Sequence, residues 1–161
     1  MALKTPRDLW IEMSIREIST QSLFASISYA NIEPKAISSS DLVFSSIHSF
    51  LSHSAIISKM LKAQEDTNTT ISIGTILGIS ENSLIHKRTF RNALEHYDKE
   101  LKKWISQFDL NSPIGTYNIG PKAGYKIPGM IFVSHYDPNT YTFTFINDDF
   151  DLRALYNEVM A

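Results

Sequence analysis

Residues 90–108 read FRNALEHYDKELKKWISQF. In this stretch Phe90, Leu94, Tyr97, Leu101, Trp104 and Phe108 recur at alternating steps of four and three. That spacing lines apolar side chains along one stripe of an α-helix and leaves charged residues on the opposite face. The pattern predicts a long helix over about 82–108, held by its stripe and solvated on its polar arc.

Upstream, Thr5-Pro6-Arg7-Asp8 has the form of a helix start: a capping hydroxyl, proline at the first helical position and an acid in the first turn. Leu9, Met13, Ile15, Ile18, Leu23, Phe24 and Ile27 then fit a long helix ending near Asn31. Glu33-Pro34-Lys35 breaks it, and Ser38-Ser39-Ser40-Asp41 caps a second. That helix carries Val43, Phe44, Ile47, Phe50, Leu51, Ile57, Met60 and Leu61 at helical spacing. Residues 64–72 are polar and predict a loop, and the two glycines within 73–79 predict only a short helix or turn.

Downstream of Asp109 the prolines and glycines of 113–129 predict irregular chain on the surface. Two β-branched and aromatic runs, 130–136 and 141–147, flank Asp137-Pro138-Asn139-Thr140 and predict a hairpin. Residues 151–160 predict a short terminal helix. The expected fold class is therefore mainly α: a helical bundle over about 5–108, followed over 109–161 by a loop, a C-terminal β-hairpin and a short terminal helix. All of 1–161 is expected to form a single domain.

The net charge of −2 supplies no overall basic field, so nucleic acid would have to be met by a local cluster. The absence of cysteine excludes disulfides, thiolate metal sites and a cysteine nucleophile, and suits a cytoplasmic location. The first ten residues, MALKTPRDLW, lack the apolar core of a secretory signal. No run approaches the roughly 20 apolar residues of a membrane span, so no membrane partner is expected. Residues 74–78 lack the Lys-Ser/Thr ending of a phosphate loop. No triad, metal-ligand set or dinucleotide signature is present, so no metal and no cofactor is expected. His48 and His53 lack ligand spacing and read as surface or hydrogen-bonded residues, and His135 by itself makes no metal site.

Within the helix, Arg91-Asn92-Ala93-Leu94-Glu95-His96-Tyr97-Asp98 sets an arginine, a polar residue directly after it, and a histidine four intervening residues later. This resembles the signature of HEPN-superfamily ribonucleases. Phe50-Leu51-Ser52-His53, with Ile57-Ser58-Lys59 after it, and the stripe from Phe90 to Trp104 are similar to a bacterial HEPN-like group. The resemblance covers most of the chain, its specific part being the helix, and the chain departs from the group over 64–78.

The resemblance implies a metal-independent endoribonuclease that leaves 2′,3′-cyclic phosphate ends. Arg91, Asn92 and His96 would be its catalytic residues. His96 would exchange protons with the RNA 2′-OH or the leaving 5′-oxygen, which suits a side chain that titrates near neutrality. Arg91 would hold the scissile phosphate, Asn92 would orient His96 or touch the phosphate, and Glu95 would support Arg91. Lys59, Lys87 and Arg88 are weaker candidates for substrate contact. On a continuous helix Arg91 and His96 point about 140° apart, so one copy cannot aim both at a single phosphate. The resemblance therefore implies a homodimer acting on RNA, in a toxin–antitoxin or defence setting with an antitoxin protein as a further partner.

Three other readings stand beside it. A non-catalytic HEPN-like module would bind a nucleotide or a partner protein through the same residues. A structural dimer would leave the polar face to solvent. The residues by themselves give a solvated helix face, with Arg91–Glu95 and Glu95–Lys99 pairs each adding a few tenths of a kcal/mol.

Overall fold

Thr5 begins the first helix as its sequence predicts. Its hydroxyl accepts the Asp8 backbone N–H at 3.2 Å, and the Asp8 carboxylate accepts the Thr5 N–H at 2.9 Å. This reciprocal capping box, with Pro6 behind it, satisfies donors that the helix cannot pair internally. The Thr5 N–H, and after it the Thr5 hydroxyl, donate to the Asp8 carboxylate and hold it below the usual carboxylate range. The structure is a computed structural model that describes residues 4–32, 39–64, 71–87, 95–108, 113–121, 130–146 and 148–161.

Helix α1 (Pro6–Ala30) is followed by α2 (Ser40–Leu61), whose first turn is capped by the Ser39 hydroxyl. The two run antiparallel, because Gln21 and Phe24 meet His53 while Ser28 meets Ser49 and Tyr29 meets Phe50. A Gln64–Ser72 bridge closes the ends of the polar segment after α2, and a single turn, α3 (Ile73–Ile76), follows it.

The continuous helix expected over 82–108 is not what the described residues form. The Asn82 N–H is accepted by the Ser80 hydroxyl, and the Ser83 hydroxyl caps a 3₁₀ turn at Leu84–His86. Lys87 is extended, with ψ 116°. Short polar side chains here bond the neighbouring backbone and start a turn where the apolar spacing alone allows a helix. Helix α4 (Tyr97–Ile105) carries the C-terminal part of the predicted stripe, with Trp104 buried and edge-on to Phe108 at 4.7 Å. Phe90 and Leu94, the first two stripe positions, lie outside the described residues.

The expectation of a mainly helical bundle with a C-terminal hairpin is overturned by a four-stranded mixed sheet in the order β1-β2-β3-β4. The hairpin is its centre: β2 (Ile131–Asp137) and β3 (Thr142–Phe145) pair antiparallel. The Asp137 carboxylate caps the turn by accepting the Asn139 N–H at 2.9 Å. Strand β1 (Ile114–Ile119) lies in the stretch expected to be irregular and pairs parallel with β2, Ile114 against Ile131 and Ile119 against Tyr136. Strand β4 (Asp148–Asp151) adds antiparallel to β3, and Asp151 caps helix α5 (Leu152–Met160).

Both strands escape a local reading for physical reasons. In β1, Gly115 reads as a breaker, yet a Cβ there would sit 2.5 Å from the Phe132 ring across the strand pair. The glycine makes room for its neighbour rather than a turn. In β4, three of the four residues are aspartates, which are poor strand formers. What holds β4 is the ladder to β3, with the Phe143 and Phe150 rings 6.2 Å apart and the Thr144 hydroxyl donating to Asp149. Ile146 turns the chain between them at φ 58°, a left-handed conformation that β-branched residues rarely adopt.

One face of the sheet closes the core. Tyr117 and Phe143 meet Phe44 of α2 at 4.4 and 6.3 Å, and Tyr97 of α4 stacks on Phe145 at 5.1 Å. Tyr156 of α5 stacks on Tyr29 at 4.1 Å, which joins the end of the chain to α1.

Candidate functional site

Of the catalytic residues that the resemblance implies, His96 is described, and Arg91 and Asn92 lie outside the described residues. So does Arg88 among the proposed substrate contacts. His96 is exposed at the start of α4, where its backbone departs from helical values at φ −120°, ψ 29°. The 140° divergence expected for a continuous helix therefore does not govern the direction of its side chain. Asp98 and Glu100 follow in the first turn of α4, where carboxylates suit the positive end of the helix dipole.

Glu95, expected to support Arg91, is held from another element. Its carboxylate accepts a hydrogen bond from Lys59 Nζ at 2.9 Å. Lys59 lies in the last turn of α2, so the pair ties the motif to the helical layer across 36 positions of sequence. Both side chains are about half exposed, which limits the stabilisation from the pair to roughly 0–1 kcal/mol. Its significance is positional: a cation of α2 stands beside the residue that precedes His96.

Of the basic run 86–88, the two described residues, His86 and Lys87, differ in their surroundings. Lys87 is exposed. His86 is half-buried, and burial followed by repulsion from Lys62 pulls its imidazole below the ordinary value. Lys62 Nζ donates to the His86 carbonyl at 3.1 Å, as Lys59 donates to Glu95.

A second polar arrangement, which the sequence did not disclose, runs across the sheet. Asn118, His135, Thr144 and Asp149 are register partners from β1 through β4. The Asn118 amide and His135 Nδ1 hydrogen-bond at 2.8 Å. His135 is 2% exposed, so its imidazole serves the interior of the sheet rather than a solvent-facing site. Alternation within 142–149 could have signalled Thr144 and Asp149. Asn118 could not be found, because its strand exists only through its pairing with β2.

The remaining histidines of the helical layer have defined roles. His53 Nδ1 lies 2.6 Å from Gln21 Oε1, and its ring meets Phe24. His48 is edge-on to Phe143 at 6.1 Å and borders a cleft of about 380 Å³ with Asp41, Phe44, Ser45 and Tyr117. Its Nε2 has no hydrogen-bond partner among the described residues, and burial lowers its pKa. Among the described residues no group of three or more His, Asp or Glu side chains is arranged to hold a metal ion. No described helix is long and apolar enough to cross a membrane.

Comparison of the chain with family models, with curated proteins and with solved structures gives no match in any of the three.

Proposed function

We propose that this chain is a metal-independent endoribonuclease of HEPN type, acting as a cytoplasmic homodimer in a toxin–antitoxin or defence setting. The reading rests on the Arg91-Asn92-x3-His96 motif and not on a helical-bundle fold. The observation that carries it is the 2.9 Å contact between Lys59 and Glu95. It supports the reading because it fastens the motif segment, in which an exposed His96 follows Glu95, to the α2 residue that the reading gives to substrate contact.

In the proposed reaction His96 of one copy accepts the proton of the RNA 2′-OH. The 2′-oxygen attacks phosphorus, the bond from phosphorus to the 5′-oxygen breaks, and His96 of the other copy gives that oxygen a proton. The products are a 2′,3′-cyclic phosphate and a free 5′-OH. Arg91 neutralises the charge that builds on the non-bridging oxygens, and Asn92 orients the imidazole. Lys59, Lys87 and Arg88 hold the flanking phosphates.

Purified protein incubated with RNA in excess chelator tests this directly. Cleavage to cyclic-phosphate ends is expected, with Arg91→Ala and His96→Ala each lowering the rate at least about 100-fold. Cleavage that survives both substitutions overturns the proposal. Retained binding of RNA or nucleotide without cleavage would assign the same residues to a binding module.

A further inference from the structure

The first half of α2 and the edge strand β1 flank a cleft that is separate from the motif. Asp41, Phe44, Ser45 and His48 line one side of it, and their spacing puts them on one face of the helix. Tyr117 of β1 closes the other side. The volume of about 380 Å³ lies at the small end of the roughly 300–1,000 Å³ of ligand sites. Lys59 stands near the far end of α2, about 27 Å from Asp41 along the helix.

The chemistry of the walls is one-sided. Asp41 is exposed and carries the only charge among the lining residues. Among the described residues no hydrogen bond or ion pair engages its carboxylate. Its place in the first turn suits the positive end of the α2 dipole, but that interaction ties up neither oxygen. The Ser45 hydroxyl donates to the Leu42 carbonyl at 3.0 Å, so towards a ligand it only accepts. Burial holds the His48 imidazole below its ordinary value, so at neutral pH it adds no positive charge. Tyr117 stacks on Phe44 with ring centres 4.4 Å apart and is still 45% exposed, which leaves part of its aromatic surface uncovered.

A free carboxylate beside an open aromatic ring, with further acceptors and no cation, repels phosphate and attracts a positively charged donor. A metal ion does not fit, because the cleft offers it a single carboxylate. An ammonium answers the charge only as a point. A guanidinium is planar, stacks on an aromatic ring and pairs with a carboxylate through two parallel N–H groups. The chain shows the same stacking elsewhere, where the Arg153 guanidinium lies 3.8 Å from the centre of the Tyr141 ring.

We propose that this cleft binds a guanidinium group, which lies on the Tyr117 ring and pairs with Asp41. The group is carried by a small molecule or by an arginine side chain of a partner protein, and the recognition chemistry is the same for both. Neither case depends on the chemistry proposed for the motif.

Titration of the full chain with ethylguanidinium, followed by amide and aromatic NMR shifts, tests this. Shifts are expected at Phe44, Ser45, His48 and Tyr117 and not at Lys59, saturating with a Kd of about 1 mM or tighter. Ethylurea has nearly the same shape without the charge, and ethylammonium has the charge without the plane. Each should bind at least about fivefold more weakly. Asp41→Asn should lower affinity about tenfold with unchanged far-UV dichroism. Tyr117→Leu should lower it about fivefold, and Tyr117→Phe should stay within about twofold of the parent.

A capped Gly-Ala-Arg-Ala-Gly peptide separates the two sources. Affinity at least about tenfold above that of ethylguanidinium gives the cleft to a partner's arginine, and equal affinity gives it to a small molecule. No saturable shift up to about 20 mM overturns the proposal, as does equal binding of ethylurea. Full affinity in Asp41→Asn also overturns it and leaves Asp41 to the helix dipole alone. RNA cleavage by Asp41→Asn should match the parent, so the titration and the cleavage assay can fail independently.

Discussion

Helices α1 and α2 lie side by side and differ in the balance of what they bury: both bury serines, but α2 buries many more large apolar side chains. Helix α2 follows the amphipathic rule: Val43, Phe44, Ile47, Phe50, Leu51, Ile57 and Leu61 are inside, and Ser45, Ser52 and Lys59 are outside. Helix α1 buries several small and polar residues against α2, supported by Trp10, Ile11, Ile18 and Tyr29, and keeps a second apolar stripe in solvent. Of its inner serines, Ser28 hydrogen-bonds Ser49 of α2 at 3.0 Å. The contrast teaches that apolar content marks surfaces to be covered, while the neighbours decide whether the cover is this chain's core or something else.

The largest expected effect tests that contrast directly. Phe50→Ala removes a fully buried ring that meets Tyr29 and Tyr156, and should cost about 3–5 kcal/mol in chemical denaturation. Leu23→Ala on α1, measured at low protein concentration, should stay within about 0.5 kcal/mol. Equal losses would mean that the outer stripe of α1 belongs to the core and would abolish the distinction.

The next comparison sets the sheet against the helices. Gly115→Ala forces a methyl group towards the Phe132 ring and should cost about 1–3 kcal/mol, with the loss of amide protection concentrated in β1 and β2. Uniform loss over α1 and α2 as well would show that the parallel strand pair and the helical layer unfold as one unit.

The smallest effect sharpens the difference between the two faces of α2. Burial holds the His48 imidazole below its ordinary value of 6.5, so the folded chain resists a proton that the unfolded chain accepts. Stability is full above that ordinary value and is lost as pH falls through it towards the lower folded value. Thermal midpoints should therefore drop by a few degrees between about pH 7.5 and 5.5, and His48→Gln should flatten part of the fall. His86 carries a shift in the same direction and accounts for a remaining slope. An unchanged slope in His48→Gln would remove His48 from this account.

Much of the helical layer was legible because its signals are local. Thr5-Pro6-Arg7-Asp8 and Ser39 mark their helix starts within a few residues, and the turn at Asp137-Pro138-Asn139 announces its hairpin. The predicted 82–108 helix failed at its start, over 82–87, because Ser80 and Ser83 offer the backbone a local turn. Of the site, the motif residues were named from the sequence. The contact from Lys59 to Glu95 joins residues 36 positions apart in the chain, and no periodicity encodes it.

The sequence by itself determined where helices α1, α2 and α5 form and where the hairpin turns, because capping, turn chemistry and apolar spacing act over one or two turns of chain. Only the tertiary structure decided that β1 and β4 are strands, since a strand is completed by hydrogen bonds to a partner that local sequence does not specify. It also decided which apolar stripe of α1 remains uncovered. Burial depends on all the neighbours at once, and for α1 those neighbours leave one face open.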